Sequence, residues 1–198
     1  MIIYLHGFNS SGASAKGQFL REQLDDIPVL TPTYHYDPSR AIVMLQHLVE
    51  ESLRLDRNLL LAGASLGGYY AQYLGQRYAL KRVLINPALM PLATLESYLG
   101  ENVNYYTGER YTLTTRHLDA LRSLDVPHPC IASPPTLLLL DKGDELLDYR
   151  LAARQYDNCA DIRLFDGGDH AFQHLPDALP AIRGVHTRTW PDSGTDSK

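Results

Sequence analysis

The stretch Asn58-Leu59-Leu60-Leu61-Ala62-Gly63-Ala64-Ser65-Leu66-Gly67-Gly68 narrows the choice of fold more than any other in the chain. An apolar run feeds through a glycine-flanked serine into a segment that reads as helix, so strand must pass to helix in one sharp turn. Glycine two residues before the serine permits the bend. Glycine two residues after it lets the helix pack close to the neighbouring strand. Such a turn lifts the serine hydroxyl above the end of a sheet, over the free N–H groups that open the helix. A serine held there can attack a carbonyl, provided a base and an oxyanion site come from elsewhere.

The rest of the chain repeats the same alternation. Apolar runs fall near 1–5, 28–31, 58–62, 82–86, 136–140 and 161–165, and helical stretches near 14–25, 39–54, 66–77, 149–157 and 171–183. This pattern builds a parallel sheet with helices on both faces, joined by right-handed crossovers. Leu137-Leu138-Leu139-Leu140 is apolar at every position, as a strand covered on both faces must be. The expected fold is therefore α/β, with about six parallel strands, and sites in such sheets gather at the carboxyl ends of the strands. The alternation breaks between 88 and 134. Helical pieces are expected there at 92–99 and 115–124, around a Tyr105-Tyr106-Thr107-Gly108 turn, and an insertion so placed shapes access to a site.

Three further stretches supply what Ser65 lacks. Ile2-Ile3-Tyr4-Leu5 runs into His6-Gly7-Phe8, a turn of the kind that gives one oxyanion donor, while the residue after the nucleophile gives the other. The candidate donors are the backbone N–H groups of Phe8 and Leu66. His6 reads as a residue whose ring ties that loop together rather than as the base. Leu137–140 ends in Asp141-Lys142-Gly143-Asp144-Glu145, and Asp144 is the first choice for the acid that orients the base. Asp141, Glu145 and Asp148 lie in the same turn, and any of these acids can instead cap the following helix. Finally Leu164-Phe165-Asp166-Gly167-Gly168-Asp169-His170 carries a histidine directly behind a strand and a diglycine turn. The order Ser65, Asp144, His170 is nucleophile, acid, base, the chain order of hydrolases built on this kind of sheet.

These residues carry a resemblance. Tyr4-Leu5-His6-Gly7-Phe8-Asn9-Ser10-Ser11, Ser65-Leu66-Gly67-Gly68-Tyr69-Tyr70-Ala71, Asn86-Pro87-Ala88, Tyr98-Leu99-Gly100, Tyr106-Thr107-Gly108, Gly143-Asp144-Glu145 and Gly168-Asp169-His170-Ala171-Phe172 resemble the alpha/beta-hydrolases, and more narrowly the compact bacterial YqiA-like esterases. The resemblance runs from the first residues to about Gly184. It implies a minimal alpha/beta-hydrolase fold over 1–185 with a small cap insertion at about 88–134. It also implies an esterase with Ser65, Asp144 and His170 in the catalytic roles. Ala64, between the glycine and serine of the turn, is a small departure. Residues 186–198 have no counterpart and are expected to form a disordered tail rich in Thr, Pro, Asp, Ser and Gly.

Composition bounds the rest. The chain has 198 residues, 44% hydrophobic and 21% charged, which suits one core and an ordinary globular protein. A net charge of −5 with no basic run argues against nucleic acid as a partner. No stretch is long and apolar enough for a membrane span, and no secretory signal is visible, so a cytoplasmic location is expected. Cys130 and Cys159 are the only cysteines and fit no metal or redox spacing, so reduced thiols are expected, with Cys159 packed. Among 13 tyrosines, Tyr98, Tyr105, Tyr106 and Tyr111 offer faces suited to a moderately apolar acyl or alcohol group, and Tyr69 joins Tyr98, Tyr105 and Tyr106 as a candidate substrate contact. Arg116 and His117 suggest an anion-recognising pair, but a helix-face salt bridge is the preferred reading. Gly12 and Gly17 have phosphate-loop spacing, but Gln18 and Phe19 stand where Lys and Ser or Thr are required. Asp141, Asp144, Glu145 and His170 make no metal site, since no paired-histidine helix accompanies them.

The function expected is that of a serine esterase or thioesterase acting on a small-molecule ester through an acyl-serine, without metal or cofactor. Two alternatives stay open: another hydrolase-fold chemistry such as C–C hydrolysis or perhydrolysis, and a non-catalytic module that binds a ligand or partner. Covalent labelling of Ser65 by a fluorophosphonate separates the last from the enzymes.

Overall fold

A computed structural model describes residues 1–130 and 134–190. Six strands form one parallel sheet: β1 (Ile2–Leu5), β2 (Val29–Leu30), β3 (Leu60–Ala64), β4 (Lys81–Ile85), β7 (Thr136–Asp141) and β8 (Asp161–Phe165), in the order β2-β1-β3-β4-β7-β8. The helices are α1 (Ala15–Gln23), α2 (Pro38–Leu55), α3 (Leu66–Arg77), α4 (Pro91–Leu95), α5 (Thr115–Arg122), α6 (Tyr149–Tyr156) and α7 (Leu175–Thr187).

The period of two along each strand sorts the core into two layers. Ile3, Leu5, Leu61, Leu84, Leu138 and Leu140 face α2, α3, α5 and α6, meeting Leu45, Val49, Tyr70, Leu74, Leu121 and Tyr156. Ile2, Tyr4, Leu60, Ala62, Val83, Leu137 and Leu139 face α1 and α7, meeting Leu20, Leu24, Leu175, Ala178 and Ile182. The central strands β1, β3, β4 and β7 are buried at every residue, which is why they carry no polar–apolar alternation.

The insertion after β4 holds more than two helical pieces. A 3-10 turn (Glu96–Tyr98) follows α4, and an antiparallel hairpin, β5 (Gly100–Val103) with β6 (Arg110–Leu113), precedes α5. In β6, Tyr111 and Leu113 are buried while Arg110 and Thr112 are exposed, so only a four-residue alternation marks the strand. The hairpin leans on the loop behind β1: Asn104 Nδ2 donates to Ser10 O at 2.9 Å, and the Tyr111 hydroxyl donates to Asn9 Oδ1 at 2.5 Å.

Several expectations are corrected here. Cys130 and Cys159 are joined in a disulfide, with Cα atoms 5.3 Å apart across a separation of 29 residues. They precede β7 and β8, which start side by side as parallel partners, and that proximity is invisible in spacing alone. Arg116 and His117 do not pair along their own helix face. Both turn to Asp37, the N-cap of α2, at 3.3 and 3.8 Å, and the His117 ring also accepts the Thr114 N–H that opens α5. The last helix begins at Leu175 rather than near 171, because 171–174 form the turn that docks on Asp141. Residues 186 and 187 belong to that helix instead of a tail, and 191–198 of the expected tail lie outside the described residues.

Candidate active site

The sharp turn at the end of β3 leaves Ser65 at φ 53°, ψ −121°, a left-handed conformation that a non-glycine residue holds only at a cost of roughly 1–3 kcal/mol. The neighbouring glycines are required by contact. A Cβ on Gly63 would stand 2.2 Å from Gly67 O, and one on Gly67 would stand 2.1 Å from Leu5 O. No side chain fits where α3 leaves the sheet.

Ser65 Oγ donates to His170 Nε2 at 3.0 Å. The other ring nitrogen, Nδ1, donates to the Asp144 carboxylate at 2.9 and 3.1 Å, which fixes the tautomer that leaves Nε2 as acceptor. The Asp144 side chain is only 1% exposed. Burial works to raise its carboxyl. The hydrogen bond from His170 and the N–H groups of Leu147 and Leu146 outweigh burial, and hold it below the ordinary carboxylate value. The competing acids have other partners. Asp148 caps α6 by accepting from Arg150 N, Glu145 accepts from His170 N at 3.0 Å, and Asp141 binds His174 Nδ1 at 2.6 Å and Gln173 N at 2.8 Å.

The loop bearing His170 is tied down from two strands. Asn86, just past β4, donates through Nδ2 to Asp169 O and His170 O at 3.0 and 3.4 Å, and accepts the Asp141 N–H at 2.9 Å. Asp141 is packed so tightly over the diglycine turn that a Cβ on Gly168 would meet its Oδ2 at 1.9 Å. Sequence reasoning missed these supports: Asn86 was visible only as part of a family stretch, and the Asp141–His174 pair joins residues 33 apart.

Phe8 and Leu66 line the same cavity as Ser65. A Cβ on Gly7 would lie 3.3 Å from Ser65 Cβ and 3.8 Å from its Oγ, so the loop behind β1 passes directly over the serine. Leu66 is the first residue of α3, where an N–H has no carbonyl a turn behind it. His6 holds this loop from beneath. Its Nδ1 donates to Gly7 O at 2.9 Å, its ring stacks on Tyr34 at 4.0 Å, and the Tyr34 hydroxyl donates to His6 O.

Ser65 and His170 open into a cavity of about 370 Å³. Phe8, Leu66, Pro91, Leu95, Leu146 and Leu147 line it, with Tyr98, Tyr105 and Tyr106. Tyr111, 7% exposed with its hydroxyl on Asn9 Oδ1, does not line it, and neither does Tyr69. That ring lies on the inward side of α3, 1% exposed, and its hydroxyl donates to Leu121 O at 2.8 Å, so the expectation of substrate contact there is corrected. A larger cavity, about 680 Å³, lies at the opposite ends of β3 and β4 around Arg57, Lys81, Arg188 and Trp190, and Ser65, Asp144 and His170 are all absent from its lining. Among the described residues, no cluster of three metal-ligating side chains occurs, and no helix is long and apolar enough to cross a membrane.

Residues 1–186 match the family described as "Uncharacterised protein family (UPF0227)". The chain belongs to the UPF0227 family. A UPF0227 protein of Vibrio parahaemolyticus is 27% identical over 190 residues, covering 92% of this chain and 97% of its own length. One of Citrobacter koseri is 25% identical over 198 residues, with 94% and 99% covered. Among solved structures, Est1E from Butyrivibrio proteoclasticus superposes with a TM-score of 0.73 at 18% identity, covering 92% of this chain and 85% of that one. The monoacylglycerol lipase of Paleococcus ferrophilus gives 0.71 at 16%, with 95% and 94% covered. This UPF0227 member therefore has the alpha/beta-hydrolase fold, reduced to six parallel strands.

Proposed function

We propose that the protein is a serine hydrolase that cleaves carboxylic esters or thioesters through an acyl-serine. The observation that supports this most is the unbroken line from Ser65 Oγ to His170 Nε2 and from His170 Nδ1 to Asp144, beneath a loop that passes over the serine. Names of structural neighbours, a monoacylglycerol lipase and an esterase of Pyrococcus furiosus, agree with hydrolysis as the general activity.

In this reading His170 Nε2 takes the Ser65 proton as Oγ attacks the carbonyl carbon. The N–H groups of Phe8 and Leu66 receive the oxyanion, each such donor being worth about 3 kcal/mol of barrier. The protonated imidazole, steadied by Asp144, then passes its proton to the leaving oxygen or sulfur as that bond breaks. Water enters, loses a proton to the same nitrogen, and releases the acid from Ser65. The steps need no metal or cofactor.

The test is intact-protein mass spectrometry after fluorophosphonate treatment, with an ester and thioester panel alongside. A single adduct on the wild type, lost in Ser65→Ala and His170→Ala together with turnover, is the expected result. Most of the turnover surviving in a folded Ser65→Ala variant overturns the mechanism.

A further inference from the structure

The cavity above Ser65 is not uniform. One part of its lining, formed by α4, the turn after it and the Leu146–147 stretch, is apolar apart from Thr94 and a tyrosine tip. Another part is the first turn of α1 with its N-cap, which contributes Ser14, Ala15 and Lys16, with Asn9, Ser10 and Tyr4 also in the lining.

Lys16 is the cationic side chain in this lining. It is half-buried, donates one hydrogen bond to Ala171 O, and makes no ion pair among the described residues. Burial pulls its ammonium below the ordinary lysine value, against the pull of Asp169 and Asp141, neither of which comes within ion-pair reach. With one neutral acceptor, this half-buried ammonium keeps a positive charge facing the cavity that an anionic group can compensate. Ser14 adds to the imbalance. Its Oγ is buried in a residue 7% exposed and lacks a hydrogen-bond partner of good geometry, although the Tyr4 hydroxyl is a neighbour. The free N–H groups that open α1 carry the positive end of the helix dipole there. An ammonium, a buried hydroxyl and a helix N-terminus thus meet in one part of the cavity lining.

The position of Lys16 decides which part of a substrate it meets. Its one partner, Ala171, directly follows His170. In the reaction proposed above, the leaving oxygen or sulfur must lie against His170 Nε2 to collect the proton, so the leaving group extends past Ala171. We propose that this hydrolase takes esters or thioesters with an apolar acyl part and a leaving group carrying a carboxylate or phosphate, which Lys16 binds with Ser14. The inference rests on the serine-hydrolase reading and goes beyond it by naming the substrate class and the residue that selects it.

The test uses three butyryl esters that share the acyl part: of glycolate, of its neutral isostere glycolamide, and of 2-hydroxyethyl phosphate. Comparing kcat/KM ratios between variants cancels differences in intrinsic reactivity. The wild type should favour an anionic ester over the amide by about tenfold more than Lys16→Met does, the size of one charge-assisted hydrogen bond. Lys16→Arg should keep most of the preference, Lys16→Glu should reverse it, and Ser14→Ala should lower it by less. Whichever anionic ester shows the larger effect identifies carboxylate or phosphate. The same anionic-to-amide ratio in wild type and Lys16→Met overturns the assignment while leaving the hydrolase reading intact. A wild type that cleaves none of the three, and takes no fluorophosphonate at Ser65, fails at the underlying reading instead, and the assignment falls with it.

Discussion

His6 shows how a single buried ring writes a pH dependence into the whole molecule. Its Nδ1 is engaged with Gly7 O, while Nε2 is buried without a partner, so a second proton would create an uncompensated charge. Burial holds its pKa down to about 4. The unfolded chain therefore binds a proton near 6.5 that the folded chain refuses until about 4, and stability falls as pH drops through that window. The full loss is roughly 3 kcal/mol, since each tenfold weakening of proton binding is worth about 1.4 kcal/mol. His117 and His186, also held down by burial, add slope of the same sign. Urea unfolding at steps across the window should show this slope, and His6→Phe should make it shallower; an unaltered slope would show that the ring is not the source. Asp144 acts lower. Its depressed carboxyl stabilises the fold above the unfolded carboxylate value, a contribution lost as pH falls further. Replacing it tests the chemistry directly. With Glu145 engaged by His170 N and Asp148 capping α6, no neighbour is placed to substitute, so Asp144→Asn should lower kcat on the order of 10³-fold or more. A small loss of kcat in a folded variant would mean that the orienting acid lies elsewhere.

Where α3 leaves the sheet, elements in this fold meet through glycine rather than through side chains. With a Cβ at Gly67 only 2.1 Å from Leu5 O, a backbone atom of a buried strand, α3 cannot keep its angle to β1 once that atom is added. Gly67→Ala should destabilise by about 3 kcal/mol, at the upper end of overpacking effects. Thermal or urea melts check this, and a stability within experimental error of wild type would contradict the close packing. The same junctions explain what could be read from the chain in advance. Six apolar runs separated by helical periods state a parallel sheet locally, and Ser65, Asp144 and His170 each follow one of those runs, so strand ends placed them near one another. Boundaries moved where a tertiary contact takes over: the turn 171–174 is claimed by Asp141, and β3 runs on to Ala64. The hairpin β5–β6 was missed because two four-residue strands, half exposed, give too short a period to separate from a loop. Asn86, the Asp141–His174 pair and Tyr69's inward turn depend on partners 33 to 84 residues away, and no local pattern encodes them.

At the scale of the whole molecule, the two ends of the sheet have different duties. The carboxyl ends carry Ser65, Asp144, His170 and the loop behind β1; the amino ends of β7 and β8 are clipped by the Cys130–Cys159 disulfide. Closing 29 residues in the unfolded chain removes entropy worth roughly 3–4 kcal/mol in the loop-closure account. Cys159→Ser should lower the urea midpoint accordingly and raise the dependence on urea as the unfolded chain expands, and reductant should do the same to the wild type. Unchanged midpoints would show that the link adds nothing. The hairpin is different, since it is not a detachable accessory. Because Asn104 grips Ser10 O and Tyr111 grips Asn9, the segment that walls the cavity also sets the height of the backbone over the serine. Grafting another protein's insertion onto this scaffold, or trimming this one, would retune turnover along with selectivity. In the proposed hydrolase, recognition and rate are thus inherited together, and neither is redesigned alone.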